Sequence, residues 1–272
     1  MRDSFSEFGL SYDDIGSGPT IVLLHGYPFD RSMWSQQIDA LSAQGYRVIA
    51  PDLRGLGETK ADDAITTMED MARDVVALMD RLEIDQAVIC GLSMGGYVAF
   101  DFVHLFPARV RALVLAGTRA PGDNEQEKQV RAEQVQRILS AGMNGIAEAT
   151  LPKLLAPSTL KDKPDVVAKV HEMILRTDPR GAAAAQRGMA ARRDYCNDLS
   201  GINVPTLVIV GREDPIRPVA DAEFMHDRIR SSRLEIVEDA AHMTNMEQPE
   251  IFNDALLGFM KALKASANRV AD

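Results

Sequence analysis

One stretch, Gln86 to Phe106, constrains the chain more than any other. An apolar run, Ala87 to Cys90, meets Gly91-Leu92-Ser93-Met94-Gly95, and a stretch with helical spacing follows to Phe106. A strand that reverses into a helix at a single residue brings the two elements too close for side chains beside the turn. Gly91 and Gly95 satisfy that demand, and Gly96 extends the tight packing. Ser93 is thereby placed at the tip of a strained turn, its hydroxyl exposed above a sheet edge, as in a nucleophile elbow. The competing reading is a glycine-tightened turn with an idle serine.

A serine hydroxyl is a weak nucleophile at neutral pH, so this turn calls for a base and an orienting acid further along, in the order Ser, acid, His. Pro205 to Val210 is a continuous apolar run of the kind that forms a strand buried on both faces, and it runs into Gly211-Arg212-Glu213-Asp214. Asp214 falls just past the carboxyl end of that strand. A second run, Leu234 to Val237, is followed by Glu238-Asp239-Ala240-Ala241-His242, which puts His242 on the same edge. Ligands of open parallel sheets bind beyond the strand carboxyl ends.

Five histidines compete for the base. His104 lies eleven residues after Ser93, roughly 16 Å along a helix. His171 and His226 fall in polar, helix-like segments, and His25 reads as structural at a strand end. His242 alone follows a strand end in the required order. Among the acids, Glu213 points elsewhere on its turn and Asp239 reads as an exposed loop carboxylate. The residues after the strand Ala112 to Ala116, Gly117-Thr118-Arg119, contain no carboxylate.

Attack on a carbonyl creates an oxyanion that needs two backbone donors. Met94, immediately after the nucleophile, supplies one N–H. The loop after the strand Thr20 to Leu24 reads His25-Gly26-Tyr27-Pro28, and since Pro28 has no N–H, Tyr27 is the second donor.

His25-Gly26-Tyr27-Pro28, Asp52-Leu53-Arg54-Gly55-Leu56-Gly57, Gly91 to Gly96, Gly211 to Asp214 and Ala241-His242 together resemble the landmarks of the α/β-hydrolase fold superfamily. Within it the chain is similar to the cofactor-free esterase, perhydrolase and 3-oxoadipate enol-lactonase group, over about residues 8 to 260. The resemblance implies Ser93, Asp214 and His242 as a catalytic triad and Tyr27 and Met94 as oxyanion donors, with no cofactor and no metal. One departure is Asp239-Ala240-Ala241, where the family often carries Gly-x-Gly before the histidine.

The rest of the chain alternates strand and helix, as a mostly parallel, doubly wound α/β sheet requires. Residues 4 to 14 read as an opening antiparallel hairpin. Thr66 to Ile84 reads as a helix with a Thr66/Glu69 capping box and a Met-rich core stripe. The alternation breaks from Arg119 to Asp198, where helical segments are punctuated by five prolines. The expected organisation is a hydrolase core of residues 1–118 and 199–272 with a helical cap, 119–198, inserted between. The cap carries 13 Lys and Arg against 11 Asp and Glu, a net +2, leaving −12 for the rest. Arg119, Arg131, Arg176 and Arg187 are its candidates for lining a pocket, against the bland reading of solvated surface.

With 272 residues, 46% of them hydrophobic, the chain can bury one full core. Its charge of −10 argues against nucleic acid or anionic membranes as partners. There is no 18-residue apolar run and no signal-like start, so a cytoplasmic protein is expected. Cys90 and Cys196 lack metal spacing. The leading expectation is a serine hydrolase cleaving small to medium ester or lactone substrates through a Ser93 acyl-enzyme. A carbon–carbon bond hydrolase on the same triad, or a slow ligand-sensing module, would share these residues.

Overall fold

The computed structural model describes residues 2–3, 9–61 and 63–271. In chain order the elements are β1 (Arg2–Asp3), β2 (Tyr12–Ile15), β3 (Thr20–Leu24), α1 (Ser35–Ala43), β4 (Arg47–Pro51), α2 (Met68–Arg81), β5 (Ala87–Leu92), α3 (Met94–Leu105) and β6 (Val110–Ala116). Five helices follow: α4 (Glu125–Ala141), α5 (Asn144–Leu154), α6 (Pro157–Asp162), α7 (Pro164–Leu175) and α8 (Pro179–Ala190). The chain then closes with β7 (Thr206–Gly211), α9 (Val219–Arg228), β8 (Ser232–Val237), α10 (Thr244–Glu247) and α11 (Pro249–Ala271).

Among the described residues eight strands form one sheet in the order β1-β2-β4-β3-β5-β6-β7-β8. β3 to β8 pair in parallel, while β2 runs antiparallel to both β1 and β4. Of the opening hairpin expected over residues 4 to 14, positions 4–8 lie outside the described residues.

The central strands are predominantly apolar because both faces are covered. Ile21, Leu23, Val88, Cys90, Val114 and Ile209 pack on one face with Trp34, Ile38 and Leu41 of the α1 region and Phe252, Leu256 and Phe259 of α11. The alternate residues Val22, Leu24, Ile89, Leu113, Leu115 and Val208 pack on the other with Met71 and Val75 of α2, Val98 and Phe102 of α3 and Met225 of α9. Because β3 to β8 run in parallel, their carboxyl ends, and the loops that follow them, lie along one rim.

Helix α2 starts one residue later than its sequence pattern suggests. Its capping box is Thr67 and Asp70, the Thr67 side chain accepting the Asp70 N–H at 3.0 Å and the Asp70 carboxylate accepting the Thr67 N–H at 3.0 Å. The expected Thr66/Glu69 pair is displaced because Thr66 is taken up by tertiary packing: it is 1% exposed and its N–H donates to Ala184 O of α8. Glu69 instead pairs with Arg73 on the helix surface.

The helical excursion between β6 and β7 leaves and returns at one place. Asp123, on the outgoing side, accepts from Arg192 at 2.6 Å on the returning side and also binds Arg119 and Arg131. Tyr195 N–H reaches Ala120 O, and Gly122 N–H reaches Asp194. Burial by itself would raise the Asp123 carboxyl, but the bonds from Arg131 and Arg192 more than offset it and hold the group below the usual carboxylate range.

Candidate active site

At the end of β5 the chain turns on Ser93, whose φ of 55° and ψ of −112° lie in a region that non-glycine residues rarely occupy. The surroundings enforce that strain. Ser93 N–H donates to Ala116 O at the end of β6, and the Thr118 hydroxyl donates to Ser93 O at 2.9 Å. A Cβ on Gly91 would lie 2.1 Å from Gly95 O, and one on Gly95 would lie 2.2 Å from Leu24 O. Strand, helix and the end of β3 therefore meet by backbone contact alone, and any side chain there would force them apart.

Asp214 is 4% exposed just beyond β7 and His242 is 2% exposed beyond β8. They meet at 2.7 Å, carboxylate Oδ2 to imidazole Nδ1. The other carboxylate oxygen, Oδ1, accepts the N–H groups of Ile216 at 2.8 Å and Arg217 at 2.9 Å. An ionised carboxylate only accepts, so the bond to His242 fixes the proton on Nδ1 and leaves the Nε2 lone pair open. The ring packs on Gly117, at 3.5 Å from where a Cβ would stand, directly after the Ala116 that holds Ser93. Among the described residues Ser93 Oγ makes no hydrogen bond, so the Asp–His link is the closed half of this arrangement.

The Gly26-Tyr27 loop lies alongside the elbow: a Cβ on Gly26 would stand 3.4 Å from Leu92 O. The N–H groups of Tyr27 and Met94 have no protein acceptor among the described residues. Both N–H groups therefore remain able to donate to an acceptor from outside the protein.

The other histidines stand apart. His25 Nε2 accepts the Leu53 N–H at 2.8 Å while Nδ1 contacts Gly26 O at 2.9 Å, an arrangement for a neutral ring, and burial lowers its pKa. His104 lies against Arg193, and His226 against Ser232. Glu213 and Asp239 are both exposed. Asp239 takes a φ of 52°, a left-handed geometry that favours glycine and that aspartate also adopts. Among the described residues no group of three or more His, Cys, Asp or Glu could hold a metal ion. No described helix is long and apolar enough to cross a membrane.

Residues 19–249 match the family model described as alpha/beta hydrolase fold. The chain belongs to the α/β-hydrolase fold family, and it is a hydrolase of that fold. Among its relatives, 3-oxoadipate enol-lactonase 2 of Acinetobacter baylyi is 33% identical over 257 residues, 94% of each chain. Among solved structures, a thermophilic esterase from Thermogutta terrifontis, malate bound, superimposes with a TM-score of 0.92 at 40% identity, covering 93% of both chains. The enol-lactonase from Burkholderia xenovorans gives 0.86 at 31% identity, over 93% of this chain and 96% of that one.

Against this α/β-hydrolase frame, the four arginines expected as pocket candidates are all engaged by the protein. Arg119 and Arg131 bind Asp123, Arg176 binds Asp30 at 2.7 Å, and Arg187 donates to Ala64 O. Sequence reading missed a further node. Tyr97, one turn after Ser93 and 3% exposed, receives the Arg217 guanidinium on its hydroxyl at 3.0 Å and has Arg192 4.2 Å above its ring. No local pattern announces it, because its three members come from α3, the loop after α8 and the loop after β7.

Proposed function

We propose that the protein hydrolyses carboxylic ester or lactone bonds of small to medium substrates through a Ser93 acyl-enzyme. The observation that carries the reading is the buried 2.7 Å bond from Asp214 to His242 Nδ1 on the rim where Ser93 is held at φ 55°. His242 Nε2 takes the serine proton as Oγ attacks the acyl carbon, and the tetrahedral oxyanion is held by the N–H groups of Tyr27 and Met94. Collapse expels the alcohol, or opens the lactone ring, with the proton returned by His242. Water activated by the same imidazole then releases the carboxylic acid and restores Ser93.

In this reading residues 119–198 form a cap over the rim, with the core in 1–118 and 199–272. The relatives named as esterase and enol-lactonase support ester and lactone bonds over carbon–carbon bonds.

The test is Ser93→Ala with a panel of p-nitrophenyl esters and lactones. The hydroxyl makes no bond that the fold uses, so the variant folds with an unchanged melting temperature and loses several orders of magnitude in kcat. A folded alanine variant with near-wild-type turnover would overturn the assignment.

A further inference from the structure

Glu247, at the end of α10, is a fully buried carboxylate, 0% exposed, and the mechanism above gives it no part. Its Oε1 accepts the N–H of Ala241 at 2.8 Å, the residue immediately before His242. Its Oε2 accepts the N–H of Ala156 at 2.6 Å, in the link between α5 and α6 of the helical excursion. Two residues away Leu154 O receives the N–H groups of both His242, at 3.1 Å, and Met243, at 3.0 Å. The histidine loop is thus hung from the excursion by its own backbone on one side and by a shared carboxylate on the other.

A buried acid placed where an apolar residue would pack is costly unless its charge or its bonding is used. Burial raises the Glu247 pKa, against the two backbone N–H bonds and the neighbouring His242, which favour the ionised form. Lys163, just past α6, donates to the Glu247 carbonyl, and Asp214 bonds the imidazole at Nδ1. Two carboxylates therefore serve His242, one bonded to its ring and one to the N–H of the residue before it.

We propose that Glu247 is the positioning residue of the base: its carboxylate fixes the height and tilt of the His242 loop, registers that loop against the excursion, and favours the imidazolium that forms when Ser93 is deprotonated. This rests on the reading of His242 as the base. Glu247 itself does not reach the rim.

Two variants test it. Glu247→Gln keeps the volume but supplies an amide nitrogen where both positions need an acceptor, and it removes the charge. Ala156→Pro deletes one of the two donors at backbone angles that proline accepts, Ala156 having φ −62° and the preceding Leu155 being extended at φ −122° and ψ 142°, and its ring, standing where the N–H pointed, displaces the carboxylate from that link. Each is measured for melting temperature, for kcat and KM separately, and for the pH profile of kcat/KM on one p-nitrophenyl ester.

For folded Glu247→Gln the expected result is a kcat about ten- to a hundredfold lower with KM within about twofold, as for a misplaced catalytic group. The acid limb of the profile also moves to lower pH by roughly half a unit or more, because a negative charge that favours the imidazolium is gone. If that variant does not fold, Ala156→Pro carries the test, with kcat reduced, KM unchanged and the acid limb in place. Either folded variant with wild-type kcat and an unmoved acid limb in Glu247→Gln would reduce Glu247 to core packing and overturn the proposal. Failure of the underlying reading looks different: a fluorophosphonate probe would then label the wild-type protein at Ser93 no faster than it labels His242→Ala.

Discussion

Replacing Asp214 with asparagine isolates the proton bookkeeping of the proposed mechanism. Oδ1 of Asp214 accepts two backbone N–H groups, from Ile216 at 2.8 Å and Arg217 at 2.9 Å, so that position must keep an oxygen. The asparagine NH2 is then forced into the Oδ2 position, 2.7 Å from His242 Nδ1. Two donors cannot face one another there. The imidazole answers by carrying its proton on Nε2, where it can no longer accept the proton of Ser93. The fold has little reason to change, because all three bonds persist with one reversed in direction. The expected loss for a wrong tautomer is on the order of 10⁴ in kcat, or about 5.5 kcal/mol of transition-state stabilisation at ~1.36 kcal/mol per factor of ten. Burst and steady-state kinetics on an activated ester measure it, with circular dichroism as the control on folding. An asparagine variant whose kcat stays within tenfold of wild type would refute the assignment of Asp214 as the orienting acid.

Gly95→Ala should lower stability by about 3 kcal/mol or more, since the new Cβ would sit 2.2 Å from Leu24 O and 2.9 Å from His25 O. Gly258→Ala at an exposed position of α11, with nothing within 4 Å, should instead raise stability by about 0.5–1 kcal/mol, and equal melting shifts would contradict the contrast. Asp101, 8% exposed, is pushed up to about 6, chiefly by burial, although Tyr195 hydrogen-bonds it. Because the folded form binds its proton more tightly than the unfolded form, stability falls as pH rises through the ordinary carboxylate range to about 6 and the penalty is complete above. Asp101→Asn keeps the acceptor for Tyr195 and should gain about 1–3 kcal/mol at pH 8 in urea unfolding, the gain vanishing near pH 4. With Arg119, Arg131, Arg176 and Arg187 engaged by the protein, the enzyme should prefer a carboxylate-bearing ester over a matched neutral one by less than about tenfold, and only at low salt. A preference of several hundredfold that survives high salt would require an arginine in the pocket.

The parts that sequence disclosed are those whose cause is local. Gly91, Ser93 and Gly95 announce a strand-to-helix reversal because steric closeness dictates residue type within five positions, and apolar runs ending in Asp214 and His242 mark strand ends. Thr66 misled because its partner, Ala184, is more than a hundred positions away, and burial against α8 outranked a capping pattern that either threonine could satisfy. Asp123, Tyr97 and Glu247 were invisible for the same reason. Each is an ordinary residue in its own segment and acquires meaning only from neighbours such as Arg192, Arg217 and Ala156.

The clasp of Asp123 and Arg192 bears on how such a chain can change. Because the two ends of the excursion are tied to each other as well as to the sheet, the sheet sees a short, closed stem whatever hangs from it. The entropy of closing a loop grows only with the logarithm of its length, so a change in the length of the segment between residues 124 and 191 alters the closure cost little so long as the stem is kept. The excursion can therefore be exchanged at the stem together with the surfaces it binds: the link that carries Leu154 and Ala156 travels with the histidine loop, Arg176 with Asp30, and Ala184 with Thr66.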